Sequence, residues 1–128
     1  MSDQVIFEVR LYSPRWGIED VYQIELTHAQ MKFIRPSTQA VCSWHERSDL
    51  TWSAGDSIFL GNPLLHILEN DYIYPPSIFI RALEAAWKAW RNGTLKDKKV
   101  EAEFLQLCEW VNKASRRKPR TKFWRSVF

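Results

Sequence analysis

The sequence is poor in the residues that announce chemistry. Its 128 residues include two cysteines, three histidines and four glycines. Two cysteines cannot build the disulfide framework that staples small secreted domains. Cys42 and Cys108 each sit in an apolar pattern and read as buried free thiols in a reducing compartment, and nothing calls for a bridge between them. The glycines, at 17, 55, 61 and 93, make neither G-x-G-x-x-G nor G-x-x-x-x-G-K-[ST], so no phosphate loop is encoded. No apolar run approaches the ~18 residues that a bilayer span requires. The opening MSDQVIFEVRLY lacks the basic stretch and apolar run of a signal peptide. The expectation is a cytoplasmic protein without a membrane partner.

Aromatic residues are abundant: seven Trp, seven Phe and four Tyr. Each brings a large area to bury, so a chain of this length can fill one core without disulfides or metals. With 45% apolar and 26% charged residues the composition is that of a folded domain. We find no repeat, linker or low-complexity tract, and read residues 1–128 as one domain.

The hydrophobic period changes halfway. Val5, Phe7, Val9 and Leu11 alternate with Glu8 and Arg10, as in a half-buried strand. After a loop containing Pro14 and Gly17, Tyr22, Ile24 and Leu26 repeat the pattern. Thr27 and Gln30 have capping-box spacing, which predicts a short helix over 28–35 stopped by Pro36. Alternation returns through Ala40, Cys42 and Trp44, then Leu50 and Trp52, with a turn at ERSD and a short strand at 57–60.

From Asn62-Pro63 the period is helical. A short helix over about 63–69 precedes one that starts at Pro75-Pro76 and ends at Asn92-Gly93. Its stripe is Phe79, Leu83, Ala86, Trp87 and Trp90. Thr94 and Asp97 open a last helix to about Ala114, with Val100, Phe104, Leu107, Cys108 and Val111 on one face. The fold class is therefore α+β: an antiparallel sheet of about four strands over 5–60, covered by an antiparallel helical hairpin within 63–114, then a C-terminal segment 115–128.

No catalytic, metal or cofactor set emerges. CSWH (Cys42–His45) is half of a metal pattern, with no second pair to complete four ligands. In a strand, residues three apart point to opposite faces, which also separates Cys42 from His45 as a dyad. Cys42 reads as core and His45 as solvent-facing. Gly55-Asp56-Ser57 matches a hydrolase block over three residues only, and a turn explains it. Glu19, Asp20, Glu69 and Asp71 could serve acid–base chemistry, but carboxylates beside turns are usually solvated or capping. Enzyme activity ranks last.

Contact residues are easier to nominate. Trp16, beside Arg15 in the first loop, is the best candidate for an exposed aromatic. The tyrosines of NDYIYPPS either form a stiff contact loop or pack under the hairpin, and packing is favoured. Leu105 and Trp110 lie off the buried stripe of the last helix, on opposite edges, and suggest a contact beyond the monomer.

The end, SRRKPRTKFWRSVF, holds six basic groups: Arg116, Arg117, Lys118, Arg120, Lys122 and Arg125. The remaining chain has 12 basic groups against 15 acidic ones, so the tail supplies all of the +3 net charge. Basic groups interleaved with Phe123, Trp124 and Phe128 could contact phosphates and stack on bases. Three aromatics in six residues, however, suit docking onto the body or a partner subunit better than a solvated tail. SRRKPR then reads as an exposed cationic connector.

Together, AWKAWRNGTL, EWVNKASRRKPRTKFW and the terminal aromatics resemble the orphan bacterial proteins carried by integron gene cassettes. The resemblance implies a small bacterial accessory protein and carries no functional residue across. The leading expectation is a binding protein that self-associates or joins a protein partner through Leu105, Trp110, Phe123, Trp124 and Phe128. Nucleic-acid binding through the basic tail is the alternative.

Overall fold

The computed structural model describes residues 4–45, 50–54, 57–60 and 63–117. Six strands come first: β1 (Gln4–Ser13), β2 (Ile18–Thr27), β3 (Gln30–Arg35), β4 (Ala40–His45), β5 (Leu50–Ala54) and β6 (Ser57–Leu60). They form one antiparallel sheet in chain order, each strand pairing with the next. Three helices follow: α1 (Pro63–Asn70), α2 (Pro76–Arg91) and α3 (Asp97–Arg117). The α+β class and the order of sheet then helices are as the sequence pattern indicated.

Alternation in β1 and β2 sorts the two faces. Val5, Phe7, Val9 and Leu11 are buried, and so are their neighbours Tyr22, Ile24 and Leu26 across the pair. The hairpin loop between them closes with Gly17 N–H donating to Ser13 C=O at 2.7 Å. Gly17 has φ +69°, a left-handed conformation that a side chain would disfavour.

The segment 28–35 corrects the expectation of a helix: residues 30–35 are strand β3. Thr27 does satisfy backbone N–H groups, accepting from Ala29 at 3.3 Å and Gln30 at 3.0 Å. The bonds close the turn into β3 instead of capping a helix. A hydroxyl ahead of free N–H groups serves either purpose, so the spacing alone is ambiguous. Tertiary pairing decides: Phe33 stands opposite Ile24 on one side and Cys42 on the other, and Met31 and Phe33 enter the core.

The helices cover one face of the sheet. Phe79, Leu83, Ala86, Trp87 and Trp90 of α2 are buried, as are Val100, Phe104, Cys108 and Val111 of α3. Phe104 ties the layers together, with ring centroids 5.4 Å from Phe7 and 6.5 Å from Phe33. Both buried indoles have their N–H groups satisfied, Trp87 by Thr27 C=O at 2.9 Å and Trp90 by Asp97 at 2.7 Å. Gly93, at φ +86°, turns the chain between α2 and α3.

α3 starts and ends later than the Thr94 spacing suggested. Asp97 opens it, and Ser115–Arg117 continue the helix as its last turn, with Arg116 and Arg117 exposed as expected of the cationic stretch. Ser115 is fully buried. Cys42 and Cys108 are buried free thiols, pushed up to about 12 by burial. The turns at 46–49 and 55–56 and the side chain of His45 lie outside the described residues.

Candidate interaction surface

Three segments far apart in sequence converge at one end of the molecule. They are the β1–β2 loop, the α1–α2 connection over 70–75, and the last turn of α3. Asp71 C=O accepts from Arg15 N–H at 3.2 Å and from the buried Ser13 hydroxyl at 3.3 Å. Ser115 Oγ accepts from Tyr74 N–H at 2.8 Å and donates to Tyr74 C=O at 3.2 Å. Tyr72, at φ +62°, makes the bend between these anchors.

Beneath this junction lies a buried ionic cluster. Arg35 Nε contacts Asp20 Oδ2 at 2.7 Å, and Arg35 Nη1 lies 2.9 Å from Asp71 Oδ2. The second contact is an ion pair by distance, not an aligned hydrogen bond. Asp71 is almost fully buried, contrary to the expectation of a solvated or capping carboxylate. Burial raises its carboxyl above the ordinary value, with Arg35 and the Trp16 indole pulling it partly back. For Asp20 burial acts the same way but loses: hydrogen bonds from Ser37 and Arg35, the Arg35 charge and the Val21 N–H hold it below its ordinary value. The Tyr22 hydroxyl is buried here without a hydrogen-bond partner among the described residues, and burial raises its pKa.

Above the cluster the surface is aromatic and cationic. The Arg15 guanidinium lies 4.9 Å from the Trp16 ring centroid and 5.9 Å from that of Tyr72, and it donates to Asn70 Oδ1 at 2.7 Å. Arg116 lies over Tyr12 at 4.2 Å and pairs with Glu19 at 2.8 Å. Trp16 stays 59% exposed and Ile18 54%. A ring held out on anchored backbone loses little freedom when a partner covers it, and Trp, Tyr and Arg are the residues that dominate contact surfaces.

Trp16 is exposed beside Arg15, as its sequence position indicated. Tyr72 and Tyr74 are half-buried, between the two readings of NDYIYPPS. Leu105 and Trp110 are exposed at 39% and 43%. Five residues apart on a helix, they point about 140° from each other and do not form one patch. Arg116 is engaged by Glu19 and Tyr12, and Arg117 is exposed. Lys118, Arg120, Lys122, Phe123, Trp124, Arg125 and Phe128 lie outside the described residues. Sequence reasoning missed the pairing of Arg35 with Asp71, 36 positions apart, because no local pattern encodes it. Among the described residues, no helix is long and apolar enough to cross a membrane.

Comparison with known proteins places this architecture. No curated protein matches the chain. A solved structure, an integron cassette protein from the mobile metagenome of V. cholerae, is similar to it at 33% identity with a TM-score of 0.67. The match covers 98% of this chain and 92% of that one. The family model described as integron cassette protein matches residues 5–115, which takes in all but the first residue of the sheet and all but the last two of the helices. The chain belongs to the integron cassette protein family.

Proposed function

We propose that the protein works by binding, as a cytoplasmic homo-oligomer that buries apolar side chains the monomer leaves in water. The observation that carries this reading is the set of large apolar residues exposed on regular elements. These are Ile6 on β1, Ile18 on β2, Ile78 on α2, and Leu105 and Trp110 on α3. Single exposed apolar residues are ordinary, but a small domain that exposes several on rigid elements has surface suited to a partner. Sedimentation velocity over a wide concentration range tests it. The expected result is a concentration-dependent oligomer weakened by charge at an exposed apolar position, with Leu105→Lys and Trp110→Lys tested separately because the two side chains lie on different sides of α3. A monomer at every concentration refutes it.

Nucleic-acid binding at the aromatic end is a second reading, favoured by the stacking of Arg15 on Trp16 beside Arg116 and Arg117. Arg–aromatic surfaces hold single strands by stacking and phosphate contact. Fluorescence anisotropy with labelled single-stranded DNA and RNA is then expected to show steep salt dependence and a loss of affinity in Trp16→Ala. Absence of binding at low salt refutes this reading.

A further inference from the structure

We propose that two copies of this chain pair through the free edge of β1, antiparallel about a two-fold axis at Ile6. This rests on the self-association reading above and names its geometry.

β1 ends the sheet, with β2 on one side only. Its ten residues pair with β2 without a break from Gln4 to Ser13. Within such a strand, residues of one parity turn both N–H and C=O to the same side. The side chain of Asn112 shows which parity faces out. Its Oδ1 accepts from Tyr12 N–H at 2.8 Å and its Nδ2 donates to Arg10 C=O at 3.0 Å. The even residues therefore face away from β2. Asn112 imitates one peptide of a neighbouring strand and closes the edge at Arg10 and Tyr12. Gln4, Ile6 and Glu8 have the same outward parity, and no backbone hydrogen bond to them from another element is seen among the described residues.

α3 packs along β1. Its Phe104 ring turns inward to Phe7 and Phe33. Eight residues later, the Asn112 side chain bonds the edge backbone. A cleft of about 430 Å³ begins at Glu8 and runs beside the capped half of the strand, between Glu19 and Val21 of β2 and the face of α3 from Leu105 to Asn112. Among the described residues Gln4, Ile6 and Glu8 stay exposed along this edge, and exposed Leu105 flanks it at Glu8.

The sequence of the open segment favours a second copy as the occupant. Centred on Ile6, antiparallel pairing sets Ile6 against the partner's Ile6 and Gln4 against the partner's Glu8. Ile6 is 53% exposed on the face of the sheet opposite the helices, and the pairing sets the two copies side by side so that each shields part of the other from water. A register centred on Val5 leaves each Ile6 facing Gln4 and pairs fewer of the described residues, and registers shifted towards Asn112 are worse. Centring on Glu8 opposes two carboxylates and calls on Tyr12, already held by Asn112. Setting Gln4 against Arg10 needs the Arg10 carbonyl that Asn112 occupies and leaves Ile6 facing Glu8. The Ile6 register uses only open backbone groups and opposes no like charges. An exposed edge of this kind is a template for strand addition unless it is blocked, and here only half of it is.

Cysteine crosslinking tests the geometry, with sedimentation of the unmodified protein as the reference. Both native thiols are buried, so introduced ones report alone. Opposed residues in antiparallel strands have Cα atoms within disulfide reach. Ile6→Cys is expected to form a covalent dimer rapidly under mild oxidation. Gln4→Cys and Glu8→Cys are expected to crosslink when mixed and not when oxidised separately. Ile6→Lys is expected to weaken the dimer by about tenfold or more. A dimer by sedimentation with no Ile6→Cys crosslink, or with Glu8→Cys crosslinking to itself, overturns the edge geometry and leaves self-association standing. A monomer throughout overturns both.

Discussion

Replacing Arg35 by Met removes the cation that serves two carboxylates while keeping most of the aliphatic stem. Arg35 sits 2.7 Å from Asp20 and 2.9 Å from Asp71, with all three side chains largely out of water. Breaking a buried ion pair from one side costs about 3–5 kcal/mol, because the charge left behind has neither solvent nor partner. Domains of this size are stable by about 5–15 kcal/mol, so the loss is a large fraction of the total. The midpoint of thermal unfolding should fall by roughly 10–20 °C.

The pH dependence gives the sharper test. Arg35 lowers the pKa of both carboxyls in the folded protein. Without it, Asp71 rises further above the ordinary 3.8 and Asp20 loses much of what holds it below that value. A group whose folded pKa lies above its unfolded one contributes stability at low pH and loses it as pH rises. Wild-type Asp20, with its lowered pKa, behaves oppositely and loses its contribution as pH falls. The deficit of Arg35→Met relative to wild type is therefore largest near pH 7 and shrinks as pH falls into the carboxylate range. Urea unfolding followed by tryptophan fluorescence near pH 7 and at about pH 4.5 measures it. Adding Asp71→Leu to Arg35→Met should recover part of the loss. An unchanged midpoint at pH 7, or equal deficits at the two pH values, refutes the account.

Three further outcomes are expected. Phe104→Ala removes the ring between Phe7 and Phe33 and should cost about 3–5 kcal/mol by chemical denaturation; a cost under about 1 kcal/mol would mean that Phe104 does not join the layers. Asn112→Ala frees Tyr12 N–H and Arg10 C=O, so the Tyr12 amide should exchange with deuterium faster, at a stability cost of about 0.5–1.5 kcal/mol; unchanged exchange argues against the edge cap. Cys42 and Cys108 keep little thiolate at pH 8 because burial pushes them up to about 12, so a thiol reagent should label them only as fast as the protein opens; rapid labelling of the native protein contradicts the burial.

Local sequence signals and tertiary structure divide the protein unevenly. The stripe Phe79, Leu83, Ala86, Trp87 and Trp90 announced α2 because helical burial leaves a 3.6-residue period. The same logic marked α3 and the alternating strands. Thr27 misled because its hydroxyl caps any run of free N–H groups, and only the strands on either side of 30–35 make that segment a strand. Leu105 and Trp110 were legible as exposed because they fall off a periodic stripe. Asp71 was not legible as buried, because a carboxylate enters a core only when a cation meets it there, and Arg35 lies several elements away along the chain.

By itself, then, the sequence determined the fold class, the two layers and which faces meet, since these arise from periodicity and from the apolar area to be buried. Tertiary structure alone decided that β1 is the sheet edge and that Asn112 closes half of it. It also joined Arg35 to Asp20 and Asp71, and brought Arg15, Trp16, Tyr72 and Arg116 to one end. Those arrangements depend on bonds between residues up to about a hundred positions apart, and no spacing along the chain encodes such bonds.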